Sequence, residues 1–174
     1  MNCARTRASF WALALYLSWT SGLWAQPEFQ NLDFEDANVS DQPPCNMGQY
    51  ASVENALPGW SAYYGTNLQT QVRQNSVTIG SENISIFGPE YCPEYGVVAL
   101  EGVYSVSLQG GCYTGANKVS IVQTGLIPAW ANSLQFKASS TNGLSVTIGS
   151  QSVPFVSIGN DLYACAVSAF AGLE

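Results

Sequence analysis

The chain contains no histidine. That removes the commonest general base, the Ser-His-Asp and Cys-His nucleophile systems, and the usual zinc ligand. Positive charge is almost as scarce. Lys and Arg together number 5 against 12 Asp and Glu, for a formal charge of −7. Arg5 and Arg7 use two of the five, leaving Arg73, Lys118 and Lys137 for everything downstream. Nucleic-acid binding needs clustered bases that displace counterions, and an anionic membrane surface needs the same, so the composition argues against both. The cysteines show no Cys-x-x-Cys spacing, which argues against a metal knuckle. No window sustains a 3.6-residue apolar period. Any catalysis would have to run on carboxylates.

What is there begins with an export pattern. Two arginines precede an apolar run at 10–19, and Ala25 stands before Gln26 and Pro27. A basic start, a short apolar core and a small residue before a polar break read as a secretory signal peptide over residues 1–25. The core is shorter than the about 20 apolar residues of a membrane span. Cys3 lies ahead of it, not where a lipobox cysteine would sit. Residues 26–174 then form one domain by length, secreted or held at the cell surface, with no membrane insertion of its own. Four cysteines remain in it: Cys45, Cys92, Cys112 and Cys165. An even count in an exported chain reads as two disulfides. Three pairings are possible, and we expect Cys45–Cys92 and Cys112–Cys165, each worth roughly 3–4 kcal/mol in the loop-entropy description.

Period-2 alternation takes the place of helical periodicity. It appears at 77–79, 84–86, 104–109, 119–124, 134–138, 144–148, 153–158 and 162–167, with turn residues between. Gly149, Ser150 and Gln151 read as a hairpin loop, and Gly159, Asn160 and Asp161 as a turn. Residues 168–172 suit a short helical turn, and 41–44 a loop. Short strands with turn signals every 8–12 residues predict an all-β fold, an antiparallel β-sandwich.

The order of the motifs is more specific than any one of them. Asn-x-Asp-Phe-Glu at 31–35 is followed by Leu-Pro-Gly-Trp at 57–60, Ser-Ile-Phe-Gly-Pro at 85–89, Glu-Gly-Val-Tyr-Ser-Val-Ser-Leu-Gln-Gly at 101–110 and Gln-Thr-Gly-Leu-Ile-Pro at 123–128. Ser-Leu-Gln-Phe at 133–136 and Val-Ser-Ala-Phe-Ala-Gly at 167–172 complete the series. The series resembles the exported jelly-roll proteins of Verrucomicrobia and Planctomycetes that carry a PEP-CTERM sorting signal, over nearly all of 28–172. More distantly it is similar to galactose-binding-like domains and carbohydrate-binding modules. The resemblance implies a jelly roll, and a structural Ca²⁺ held by the opening motif together with an acid in the last strand. Ala166 stands where relatives often carry that acid, and the family's usual continuation past Ala171-Gly172 is not in this sequence. A jelly roll closes with its last strand beside its first. Either 162–167 is that strand, or the domain is cut short.

Read as a strand, Asp33 and Glu35 share one face and Phe34 takes the core side. Two carboxylates on one face suit a hard cation that wants several oxygens. The candidate metal is Ca²⁺ on Glu35 and Asp33, and the competing reading is a solvated acidic strand edge. The candidate ligand is polysaccharide or a cell-surface glycan. Its binding residues would be Tyr63, Tyr64, Asn67 and Gln69 after Leu57-Pro58-Gly59-Trp60, with Tyr91 and Tyr95 in a loop. Trp60 itself is expected in the core. A glycosidase would need two opposed carboxylates. Glu54, Glu82, Glu90, Glu94 and Glu101 are available, Glu101 with some expected burial, but nothing in the sequence pairs them. The expectation is therefore a non-catalytic glycan-binding or matrix module, with a structural surface protein and a hydrolase as the alternatives.

Overall fold

The computed structural model describes residues 28–40, 49–89, 99–112 and 118–173. The order is β1 (Gln49–Ser52), a single helical turn α1 (Val53–Ala56), β2 (Ser61–Tyr64), β3 (Asn67–Gln69), β4 (Gln71–Gln74), β5 (Asn83–Phe87), β6 (Ser105–Gln109) and β7 (Val119–Val122). It continues with β8 (Ser133–Lys137), β9 (Val146–Ile148), β10 (Gln151–Val153), β11 (Phe155–Gly159), β12 (Leu162–Ala166) and a 3₁₀ turn at Ser168–Phe170. The expected signal peptide, Cys45, Cys92, Tyr91, Tyr95, Glu90 and Glu94 lie outside the described residues.

The fold is all-β, as the alternation requires. One sheet runs β1-β4-β5-β6 and another β3-β2-β7. Their facing residues make the main core: Val72, Ile84 and Ile86 from the first sheet and Ala62 from the second are fully buried, joined by Leu57 beyond the end of α1. Each large apolar side chain buried this way contributes roughly 1.5–3 kcal/mol. A second, smaller core gathers Val153, Cys165 and Val167 between the β9-β10 hairpin and the sheet β11-β12-β8. Two hairpins follow the turn chemistry. Asn160 and Asp161 both have positive φ, at 53° and 58°, which is the type I′ pattern that suits strand twist, and Gly149 has φ 59°.

Several expectations are corrected. Residues 77–79 form no strand, and the run at 153–158 divides at Pro154, which has no N–H to give a ladder. The sandwich is not wholly antiparallel: β4 and β5 pair parallel. The link between them carries a buried polar seam. Asn75 donates to Gly88 O at 3.2 Å and accepts from Gly88 N at 2.9 Å, while Asn83 donates to Ser76 O at 2.9 Å. These bonds satisfy backbone groups that a parallel crossover leaves without a strand partner. Finally, β12 sits between β11 and β8 and does not pair with β1, the first strand.

The largest correction concerns residues 30–37. They form a turn rather than a strand. Asn31 and Phe34 have φ of 47° and 66°, conformations that no strand contains. The turn is held by local hydrogen bonds together with several to distant parts of the chain. Asn31 Oδ1 accepts from Asp36 N at 2.9 Å, and Asn31 Nδ2 donates to Pro58 O at 3.2 Å. Trp60 Nε1 donates to Asn31 O at 3.0 Å, and the Trp60 ring lies 5.5 Å from that of Phe34. Gln123 bonds both N–H and C=O of Gln30, each at 2.8 Å, and donates to Gly59 O at 2.9 Å. Glu35 reaches the loop before β6, accepting from Val103 N at 3.0 Å and Tyr104 N at 3.0 Å. Four of the motifs in the sequence series thus meet around one turn.

Gly102 is where this packing is tightest. Its φ is +64°, and a Cβ there would come within 2.3 Å of Glu35 Oε1. Gly102→Ala should therefore displace the carboxylate as well as strain the backbone, costing roughly 2–4 kcal/mol in urea unfolding. Gly149→Ala, with a similar φ and nothing within 4 Å, should cost only about 1 kcal/mol. Equal losses at the two positions would show that the Glu35 contact contributes nothing.

Candidate functional site

The described surface offers a groove of about 300 Å³, with Tyr50, Tyr64, Gln69, Gln71, Arg73 and Glu82 among its walls. Its geometry follows from register. Tyr50 on β1 lies opposite Arg73 on β4, so the two side chains emerge on one face of the sheet. The Arg73 guanidinium carbon sits 4.8 Å from the Tyr50 ring centroid, a cation–π contact that steadies a long side chain. Tyr64 ends β2, with its ring against the main core and its hydroxyl accepting from Ile84 N at 3.3 Å. Its O–H remains a donor. Gln69 closes β3, its side chain donating to Asn67 O at 2.8 Å. The groove thus combines two phenol rings, two carboxamides, a guanidinium and a carboxylate.

Of the residues expected to bind ligand, Tyr64 and Gln69 line this groove. Tyr63 is turned to the other face of β2, beside Leu68 and Ser120 across the strands, as strict alternation demands. Asn67 is exposed at the β2–β3 turn and is not among the groove's walls. Tyr50 and Arg73 were missed. Both lie on short strands, and their pairing depends on a register that neither segment specifies alone. Trp60 is partly buried against the core, as expected. Trp130, 80% exposed at a turn, is a large aromatic outside the groove.

The acids do not assemble into the arrangements expected of them. Both Glu35 oxygens face backbone N–H donors, Oε1 toward Val103 and Tyr104 and Oε2 toward Val103 at 3.1 Å. Asp33 Oδ1 accepts from Glu35 N at 3.3 Å. Donor hydrogens at those oxygens would repel a cation, and Ca²⁺ wants six to eight oxygens turned inward. Among the described residues no three His, Cys, Asp or Glu gather into a metal-holding group. Glu35 acts in this structure as an internal anion that holds the loop before β6. For hydrolysis, Glu82 is the one acid among the groove's lining residues. Glu101 is not partly buried as expected: its side chain is 75% exposed and pairs with Lys137 at 2.8 Å. Glu54 is exposed in the first turn of α1.

The expected Cys112–Cys165 bond is not formed in this structure. Both are free thiols. Cys165 belongs to the smaller core and its Sγ lies 3.7 Å from Leu134 O, whereas Cys112 is exposed beyond β6 with its Sγ 3.6 Å from Gly80 O. Burial pushes the Cys165 thiol up from its ordinary range, which further lowers its reactivity.

Two measurements check these assignments. Melting midpoints should be the same in calcium and in chelator, while Glu35→Gln should lower stability by about 1–2 kcal/mol through weaker bonds to Val103 and Tyr104. A calcium-dependent midpoint that Glu35→Gln abolishes would restore the metal reading. Alkylation of the native protein should leave Cys165 unmodified until denaturant is added. A Cys112–Cys165 cross-linked peptide in a non-reducing map would contradict the free thiols.

Comparison of the chain with protein-family models, curated proteins and solved structures returned no match.

Proposed function

We propose that this chain is an exported, non-catalytic β-sandwich module that binds glycan through the groove between Tyr50, Tyr64, Gln69 and Arg73. The observation that carries the reading is the groove's composition. Aromatic faces suit the apolar faces of pyranose rings, and amide, phenol and guanidinium groups suit hydroxyls. Among the described residues one carboxylate lines the groove, with no opposed partner for glycoside hydrolysis, and a chain without histidine has few other routes to acid–base chemistry. Export and a place at the cell surface rest on the N-terminal pattern. Kinship with the PEP-CTERM jelly-roll proteins rests on the motif series, and the convergence of four of its motifs on one turn is consistent with it.

A second reading has its own support. On β11, Val156 and Ile158 are 64% and 51% exposed, and Trp130 is 80% exposed. Apolar residues left open in this way suit a surface protein that packs against a macromolecular neighbour and has no small ligand.

A glycan array separates the two. Saturable binding should fall about tenfold or more in Tyr50→Ala, which removes an exposed ring without opening the core. It should be unchanged in Val156→Ser. Binding that is lost in Val156→Ser and kept in Tyr50→Ala would favour the second reading. Release of reducing sugar from any bound polysaccharide would show an enzyme instead.

A further inference from the structure

We infer that the groove reads an acidic sugar, with Arg73 taking a carboxylate or sulfate on one ring while its neighbours handle the neutral hydroxyls. The inference deepens the glycan-binding reading and rests on it.

Positive charge is scarce in this chain. Beyond the N-terminal segment the chain has three bases, and Arg73 is the one that lines the groove. Lys137 is engaged with Glu101. Neutral hydroxyls alone do not require a guanidinium, because glutamine amides bind them without introducing charge. A guanidinium is the preferred partner of an oxyanion that presents two oxygens, which it meets with two parallel N–H donors. Stacking on Tyr50 holds the guanidinium through its face, and that contact consumes none of the five N–H donors. Gln69 and Gln71 extend the same wall with neutral donors and acceptors. The site therefore offers one positive fork beside neutral amides, with the Glu82 carboxylate in the same groove.

Charge also limits the kind of ligand. At −7 overall, the chain repels a densely charged polyanion over about 10 Å at moderate salt. A glycan with isolated acidic residues escapes most of that repulsion and keeps the local contact. Glu82 shares the groove and opposes an incoming anion. Its removal should therefore act with the opposite sign to removal of Arg73.

The test is calorimetric titration of the intact protein with an oligogalacturonate, a sulfated galacto-oligosaccharide and the matching neutral galacto-oligosaccharide. At least one acidic ligand should bind about tenfold more tightly than the neutral one. Arg73→Gln should abolish that preference, Arg73→Lys should keep part of it, and Glu82→Gln should increase it. Preference for the uronate over the sulfated sugar, or the reverse, identifies which anion the fork accepts. Neutral binding equal to acidic binding and unaffected by Arg73→Gln overturns the acidic specificity and leaves the glycan reading standing. No binding of any of the three overturns both. If Arg73→Gln does not fold, judged by its thermal melt, the opposed effects of Arg73→Lys and Glu82→Gln decide the matter.

Discussion

The Glu35 carboxylate, seated over Gly102 and bonded to the backbone N–H groups of Val103 and Tyr104, is the contact on which the arrangement of the main sandwich turns. It joins the opening turn to the approach of β6, which is an edge of the four-stranded sheet. The same turn is fixed on another side by Trp60, at the entry to β2 in the opposing sheet, and by Gln123 just past the end of β7. One irregular segment thus spans both layers of the sandwich. Its strained backbone at Asn31 and Phe34 persists because several long-range hydrogen bonds over-determine it.

The groove inherits its position from that framework. With the two sheets held in place, β1 and β4 present Tyr50 and Arg73 side by side, and the ends of β2 and β3 bring Tyr64 and Gln69 beside them. Tyr64 belongs to the core and the groove at once: its ring packs inward while its hydroxyl meets Ile84 N. A wall anchored in this way is a rigid one, and rigid aromatic walls lower the ordering cost of binding. The exposed Tyr50 depends instead on the Arg73 stack, so the charged residue both steadies the aromatic surface and offers donors to a ligand.

Much of the fold was legible in the sequence. The period-2 runs located most strands, because Ile84 with Ile86 and Val119 with Ile121 follow the pleat directly. The glycine and asparagine turns at 149–150 and 160–161 carried their own backbone signal. What was not legible depends on partners far away in the chain. Residues 30–37 alternate acid and aromatic like a strand, yet their conformation is dictated by Pro58, Trp60, Val103 and Gln123. The parallel step from β4 to β5 rests on buried Asn75 and Asn83, residues that read locally as turn formers. For the site, Tyr64 and Gln69 were found from composition around Trp60. Tyr50 and Arg73 required the register between β1 and β4, which no local pattern encodes.

We propose that recognition centres on the Tyr50–Arg73 face. Amide chemical shifts followed by ¹⁵N–¹H correlation spectra during titration with an oligogalacturonate test it most directly. The account predicts perturbations confined to residues about Tyr50, Tyr64 and 69–73, with Ile84 responding through its bond to the Tyr64 hydroxyl. Shifts centred on the exposed face of β11 at Val156 and Ile158, or on Trp130, with the groove silent, would contradict it.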